Sequence, residues 1–344
     1  MKQFIQTLDT CIAAVGKPDS DHFNVFCFKD RKVVCHNHQF TIIAPVETNP
    51  EISGFFRAEE FLKILKKMGD HTDILNVPEG LQLSNGRTKV KVKFVQGNEY
   101  LKTILTQIPN DQLFQPVLDE DYGSELEKCL FTNKTPLNGI YFTGNNLLAT
   151  DSSRICISRI KTTVPGDIHL SNDSIKQIIG FGKITGICAL QGTTKNAIYF
   201  RNDRGQTLIC QSLDTSSYPK KPLMELTERY YTANGKVLLF PEDMALSLDR
   251  FAILGLGSKN FAVDFHIEGD KATFSASSDS MSMEDSVTLQ KPTELKISGV
   301  VDCGFVAWAA KNTSACYFYE DGMKKVLLFR DENLLNIVGV EKKV

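Results

Sequence analysis

The sequence predicts an α+β protein assembled from three tandem copies of one unit, and three observations lead there. A strand–turn–strand–break–strand pattern is clearest at Leu137–Lys161. There a strand at Gly139–Phe142 meets a Gly144-Asn145-Asn146 turn, and a strand at Leu147–Thr150 meets a polar Asp151-Ser152-Ser153 break before a strand at Ile155–Ile160. The pattern recurs about 115 residues earlier, as Asn24–Val46, and about 120 residues later, as Asn260–Leu289, a period that fits duplicated domains rather than a solenoid of short repeats. Each copy follows a helix-like segment and precedes a second helix and a further hairpin. Finally, 344 residues with 42% hydrophobic content suffice for two or three domains, each with its own core.

In the first third, Phe4, Ile5, Leu8, Ile12 and Val15 stand at helical spacing. The hairpin that follows turns at Lys29-Asp30-Arg31. The segment Arg57–Met68 predicts an amphipathic helix, with Phe61, Ile64, Leu65 and Met68 on one face and Glu59 and Lys63 paired at i,i+4 on the other. Strands are expected over Asp73–Val95, with a hairpin at Ser84-Asn85-Gly86, because Asn-Gly favours positive φ.

Pro109-Asn110-Asp111 marks the first boundary, giving domains at 1–110, 111–219 and 220–344. The middle third opens on a weak helix at Glu125–Phe131 and continues to a helix at Ser171–Ile179, which Ser171 can cap. Its second hairpin turns at Asn202-Asp203-Arg204-Gly205. Ser216–Pro222 is read as the second linker. The last third repeats the order: a helix over Pro241–Leu254 with Pro241 in its first turn, strands turning at Glu268-Gly269-Asp270, and a helix over Asp302–Lys311. A hairpin around Glu320-Asp321-Gly322 and a final strand at Leu334–Val340 close it.

The formal charge of −2 argues against tight nonspecific binding of nucleic acid by the whole surface. Nine cysteines, an odd number without pairing spacings, suggest reduced thiols in a cytoplasmic protein. No signal-peptide core and no run of roughly 18 apolar residues is evident, so a soluble intracellular protein with no membrane partner is expected.

No catalytic constellation assembles from the residues. Gly180-Phe181-Gly182-Lys183 and Gly255-Leu256-Gly257-Ser258-Lys259 lack the Gly-x-x-x-x-Gly-Lys-Ser/Thr spacing that wraps amides around phosphate, and helix-end glycines explain both. Cys35, His36 and His38 suggest metal ligands, but on a strand only the two histidines can share a face. No enzyme activity, metal or cofactor is therefore expected. The best basic patch is Lys63, Lys66 and Lys67, and Lys176 and Lys311 occupy the corresponding helices of the second and third units. Taken singly these are solvated helix faces; taken as a repeated slot they can hold a duplex loosely through its phosphates.

Leu137-Asn138-Gly139-Ile140, followed by Ala149-Thr150-Asp151-Ser152-Ser153-Arg154-Ile155, resembles the central domain of bacterial sliding clamps, the β subunit of DNA polymerase III. Tyr218-Pro219 and Ile253-Leu254 fall where that family has similar residues. The resemblance implies three domains of the DNA-clamp fold, with helices on an inner face and antiparallel sheets outside. It further implies a head-to-tail homodimeric ring around double-stranded DNA that tethers a replicative DNA polymerase, is opened by a clamp loader and is not an enzyme. It places Ile253 and Leu254 at the dimer interface. It places a partner-peptide pocket at Leu137, Thr150, Ser152, Arg154, Ile155, Pro219, Leu223, Met224, Val338 and Val340. The sequence departs from the family at Ser152-Ser153, at the tail Ile337–Val340 and at the acidic Asp119-Glu120-Asp121, which suggests a divergent clamp, phage-encoded among the options. The alternative is a structural β-rich protein of duplicated domains, such as a virion component.

Overall fold

In the computed structural model the chain begins α1 (Lys2–Cys11), β1 (Val25–Lys29), β2 (Lys32–His36), β3 (Phe40–Pro45), β4 (Gly54–Arg57), α2 (Ala58–Met68), β5 (Asp73–Val77), β6 (Gly80–Ser84) and β7 (Lys89–Lys93). It continues with α3 (Tyr100–Ile104), β8 (Gln115–Pro116), α4 (Tyr122–Glu127), β9 (Ile140–Thr150), β10 (Arg154–Leu170), α5 (Asn172–Gly180), β11 (Ile184–Leu190), β12 (Ala197–Asn202) and β13 (Thr207–Gln211). The last third holds α6 (Lys220–Tyr231), β14 (Lys236–Leu238), α7 (Met244–Phe251), β15 (Ala262–Ser277), β16 (Ser282–Asp302), α8 (Cys303–Asn312), β17 (Cys316–Asp321), β18 (Lys324–Arg330) and β19 (Leu334–Val340). The structure describes all residues except 18–21, 132–136, 152–153, 191–195, 234, 252–253, 255–261, 279–280, 314, 322–323 and 342–344.

The threefold order is visible in these elements. A helix, long strands, a second helix and a three-stranded set recur as α1/α2 with β5–β7, α4/α5 with β11–β13, and α7/α8 with β17–β19. Within each third the two helices pack on each other. Among the described residues no helix is long and apolar enough to cross a membrane.

The described residues group into two compact units, 1–127 with 161–215, and 128–160 with 216–344. The first contains an eight-stranded antiparallel sheet in the order β4-β1-β2-β3-β13-β12-β11-β8 and a three-stranded sheet β5-β6-β7. The join between β3 and β13, with Ile43 opposite Thr207 and Phe40 opposite Cys210, carries one sheet across the boundary at residue 110. Its core is aromatic: Phe61 of α2 stacks on Phe56 with ring centroids 5.2 Å apart and meets Phe28 edge-on at 5.9 Å. The α2 sequence dictates this. Ala58, Phe61, Leu62, Leu65 and Met68 form one buried stripe, acidic residues open the helix, lysines end it, and Gly69 at φ 81° terminates it.

The second unit contains a six-stranded sheet, β14-β17-β18-β19-β10-β9, and the long ribbon β15-β16. One core joins the ribbon to α7 and α8 through Phe251, Phe265, Phe274 and Val306; another surrounds Tyr218.

The expected turns form at residues 29–31, where Asp30 and Arg31 both have positive φ, and at 84–86, where Gly86 does. Ser171 caps α5, its Oγ accepting from Ser174 N at 3.2 Å. Four expectations need correction. Gly144-Asn145-Asn146 does not end a strand: β9 runs from Ile140 to Thr150 through it, with Gly144 at φ 57°. Ser216–Pro222 is not all linker, because α6 begins at Lys220; Leu223, Thr227 and Tyr230 supply the buried face that a seven-residue window did not reach. Glu268–Asp270 is not the end of a hairpin. Gly269, at φ 65°, makes a corner within β15 where the partner strand skips from Thr293 to Thr288, and the ribbon closes at Ser278 and Met281. The weak helix expected at Glu125–Phe131 lies earlier, at Tyr122–Glu127, because Asp121 accepts from Ser124 N at 3.0 Å and starts it there.

The acidic Asp119–Asp121 run thus has structural duties. Asp119 accepts from the backbone N–H groups of Lys161 (2.8 Å) and Thr162 (2.9 Å) and from Thr162 Oγ1 (2.5 Å), tying the approach to α4 against β10. Replacing Asp119 with alanine leaves those donors unmatched and should lower stability by about 2 kcal/mol in denaturant unfolding. A change below about 0.5 kcal/mol would show that water replaces the carboxylate without loss.

Candidate functional site

Where β9 meets β10, Thr150, Asp151 and Arg154 are tied together by their own polar groups. Asp151 accepts from Arg154 N at 3.1 Å and from Arg154 Nε at 3.0 Å, while Thr150 Oγ1 donates to the Arg154 carbonyl at 2.8 Å. The Arg154 guanidinium lies between two rings, 3.9 Å from the centroid of Phe131 and 3.6 Å from that of Phe305. A planar, weakly hydrated cation suits such a sandwich better than an ammonium does. Burial pulls the Arg154 pKa down, against the opposing pull of Asp151 and Asp302. Burial raises the Asp302 pKa, and the N–H of Phe305 and the Arg154 charge offset part of that rise. Asp302 also caps α8, accepting from Phe305 N at 3.1 Å, so one carboxylate orients a ring of the sandwich and sits in the field of its cation.

The β10–β19 ladder then distributes the remaining residues. Arg154 lies opposite Val338 and Ile155 opposite Ile337, so alternate residues face opposite sides of the sheet. On the Ile155 side, Leu137, Ile155, Leu223 and Met224 pack together around Tyr218. Tyr218 stacks on Tyr141 with centroids 4.7 Å apart and donates from its hydroxyl to the Leu148 carbonyl at 2.9 Å. Pro219, half-buried, leads into α6 beside this cluster. Leu137 and Met224 are only partly buried there, which leaves part of an apolar cluster at the surface.

Val338 and Val340 do not join that cluster. They belong to the core of the β15–β16 ribbon, and Val338 lines a cavity of about 190 Å³ with Ala262, Val300, Asp302, Phe305, Gly339 and Glu341. Of the residues expected in one pocket, Leu137, Ile155, Leu223 and Met224 share one cluster, while Val338 and Val340 belong to another. Leu335 and Ile337, not Val338, are the last-strand residues that share a cluster with Leu137 and Met224. The reading of the tail by position missed this because strand parity was unknown until the β10–β19 register fixed it. Phe131, Phe305 and Asp302 were also missed. The Asp302-x-x-Phe305 spacing at a helix start was the available signal. Ser152 lies outside the described residues.

The five lysines are exposed as expected, but two are engaged. Lys66 meets Asp9 at 2.5 Å and Lys311 meets Asp249 at 2.6 Å. Lys63, Lys67 and Lys176 have no carboxylate within bridging distance among the described residues. Leu254 is half-buried against the ribbon core, its N–H donating to the Phe251 carbonyl at 3.0 Å; Ile253 lies outside the described residues.

His36 and His38 do approach each other, with ring centroids 5.4 Å apart and Phe23 edge-on to both. His36 Nδ1 is 2.9 Å from Thr41 Oγ1, and burial lowers its pKa to about 4. Cys35 is buried in the core. Among the described residues no three His, Cys, Asp or Glu side chains gather at metal-binding distances.

No protein-family model matches the chain. No curated protein sequence matches it either. Solved structures do. The DNA polymerase III β chain of Streptococcus pneumoniae is similar over 99% of this chain and 98% of its own, with a TM-score of 0.78 at 15% identity. The sliding clamp of Bacillus subtilis is similar over 100% and 98%, with a TM-score of 0.78 at 14% identity. The β clamp of Helicobacter pylori is similar over 99% and 98%, with a TM-score of 0.76 at 14% identity. From end to end, the chain has the fold of the bacterial DNA polymerase III β sliding clamps, carried by a sequence far diverged from theirs.

Proposed function

We propose that the protein is a processivity clamp: a non-catalytic ring that encircles duplex DNA and tethers a replicative DNA polymerase. The observation that carries this reading is the end-to-end match of fold, over 99% of this chain and 98% of a known clamp, on a chain that repeats one helix–strand unit three times. In this reading the domains are 1–110, 111–219 and 220–344. Two chains join head to tail, with Ile253 and Leu254 in the contact, and α1/α2, α4/α5 and α7/α8 line the hole. Head-to-tail contacts make a closed ring only when the rotation closes, and six similar domains supply that rotation. The protein acts in the cytoplasm, where a clamp loader opens the ring.

The charge pattern suits sliding. A net charge of −2 and scattered lysines, two of them already paired, favour weak phosphate contacts that let the ring move. Retention then comes from topology. A structural protein of duplicated domains explains the repeats but gives no reason for the match to clamps.

Partner peptides are assigned to the apolar surface of Leu137, Ile155, Pro219, Leu223 and Met224. The Helicobacter pylori clamp was solved with a DNA ligase peptide bound, which makes peptide capture the natural use of such a surface here. A few partly buried apolar groups at a surface fit one or two Leu or Phe anchors.

Retention on nicked circular DNA tests the reading, with the matching loader or with enough protein to load unaided. The expected result is retention on the circle and loss after a single linearising cut; equal binding to both forms would refute encirclement. Replacing Ile253 and Leu254 together with alanine should convert dimer to monomer in sedimentation, and an unchanged mass removes them from the interface. Met224→Glu should weaken binding of a Leu/Phe-anchored polymerase peptide at least tenfold, about 1.4 kcal/mol, with the oligomer intact. Undiminished affinity would move the pocket elsewhere.

A further inference from the structure

All nine cysteines are free and buried; Cys35 has a side-chain hydrogen bond with Cys11, and Cys129 and Cys156 touch as well. Cys129 follows α4, Cys156 lies on β10, and their sulfurs are 3.3 Å apart. Cys156 also donates to the Lys128 carbonyl at 3.2 Å, so thiol contacts help hold the turn at 128–129 against the strand. Two residues on is Phe131, one wall of the Arg154 sandwich, whose ring also meets Trp308 edge-on at 6.2 Å. The sulfurs need approach by only a little over 1 Å to reach the roughly 2.05 Å of a disulfide.

We propose that Cys129 and Cys156 are an oxidisable pair whose disulfide staples residues 128–131 to β10 and fixes the aromatic wall at Arg154. A small-molecule disulfide of the glutathione type is the oxidant. One protein thiolate attacks it, expelling a glutathione thiolate and leaving a mixed disulfide. The second thiolate attacks the protein sulfur of that mixed disulfide and expels the second glutathione. Two electrons pass to glutathione, and the two thiol protons end on the leaving thiolates.

Burial raises the Cys156 pKa, and its hydrogen bond with Cys129 adds to the rise, so exchange is slow at neutral pH and faster in mild alkali. Both cysteines are 1% exposed, and the oxidant enters through local opening of the 128–131 turn. Once closed, the same burial shields the bond from reductants. The bond itself does not depend on the clamp reading; an effect on partner binding does, because it requires that the stapled strand carry Ile155 of the peptide surface.

The test oxidises reduced, folded protein with oxidised glutathione at about pH 8.5, where an unperturbed thiol is half ionised, then alkylates and digests with trypsin. Cleavage after Lys128, Lys134, Arg154 and Arg159 places the two cysteines in peptides 129–134 and 155–159. The expected product is these two peptides joined, the other seven thiols alkylated, and no join in Cys129→Ser or Cys156→Ser. Oxidised wild type should unfold at a higher temperature than reduced protein, because the cross-link restricts the unfolded chain. Its emission from Trp308, the sole tryptophan, should change, and neither effect should appear in Cys129→Ser. Recovery of both cysteines alkylated, or as separate glutathione adducts, overturns the pair. Joined peptides with unchanged unfolding and emission overturn the staple. If the cross-link forms but DNA retention and peptide binding are absent in both redox states, the clamp reading fails and this inference stands.

Discussion

Edge satisfaction governs this structure. A three- or four-stranded set from one repeat leaves unpaired N–H and C=O groups along its outer strand, and such edges invite aggregation unless another strand covers them. Here the neighbouring repeat supplies that strand. The β3–β13 ladder fuses strands of the first third to those of the middle third, and the β10–β19 ladder fuses the middle to the last. The compact units consequently cut across the repeats, at 127/128, 160/161 and 215/216, because each unit is organised around one fused sheet.

The candidate site follows from the second of these ladders. Pairing Arg154 with Val338 and Ile155 with Ile337 sends the arginine toward Phe305 and the isoleucine toward Tyr218. A slip of one residue would exchange those faces and bury the cation among Leu148, Ile157 and Leu335 without a partner. Asp151 and the flanking rings make the observed register the favourable one. A desolvated guanidinium is tolerable only with a carboxylate at hydrogen-bond distance and π-faces on either side. The sandwich therefore acts as a register pin.

Electrostatics elsewhere is modest. Exposed pairs such as Lys66–Asp9 and Lys311–Asp249 contribute at most about 1 kcal/mol each. Their larger effect is to lower the local positive charge on helices assigned to a DNA-facing wall. For the proposed ring this is no defect, since strong phosphate neutralisation would raise affinity at the cost of mobility.

The sequence alone determined the threefold order, the helix faces and most turns, because these depend on local chemistry. Asn85-Gly86 and Asp30-Arg31 set positive φ within a few residues, Ser171 caps its own helix, and the α2 stripe is written at helical spacing. It placed Leu137, Ile155, Leu223 and Met224 among one set of candidates, and these do come together. The same set included Val338 and Val340, which the tertiary structure sends to the other face. That choice, the corner at Gly269, the start of α6 and the rings around Arg154 were decided by register and by packing partners outside the local segment. Periodicity fixes which residues share a face; only the pairing of distant strands decides what that face meets.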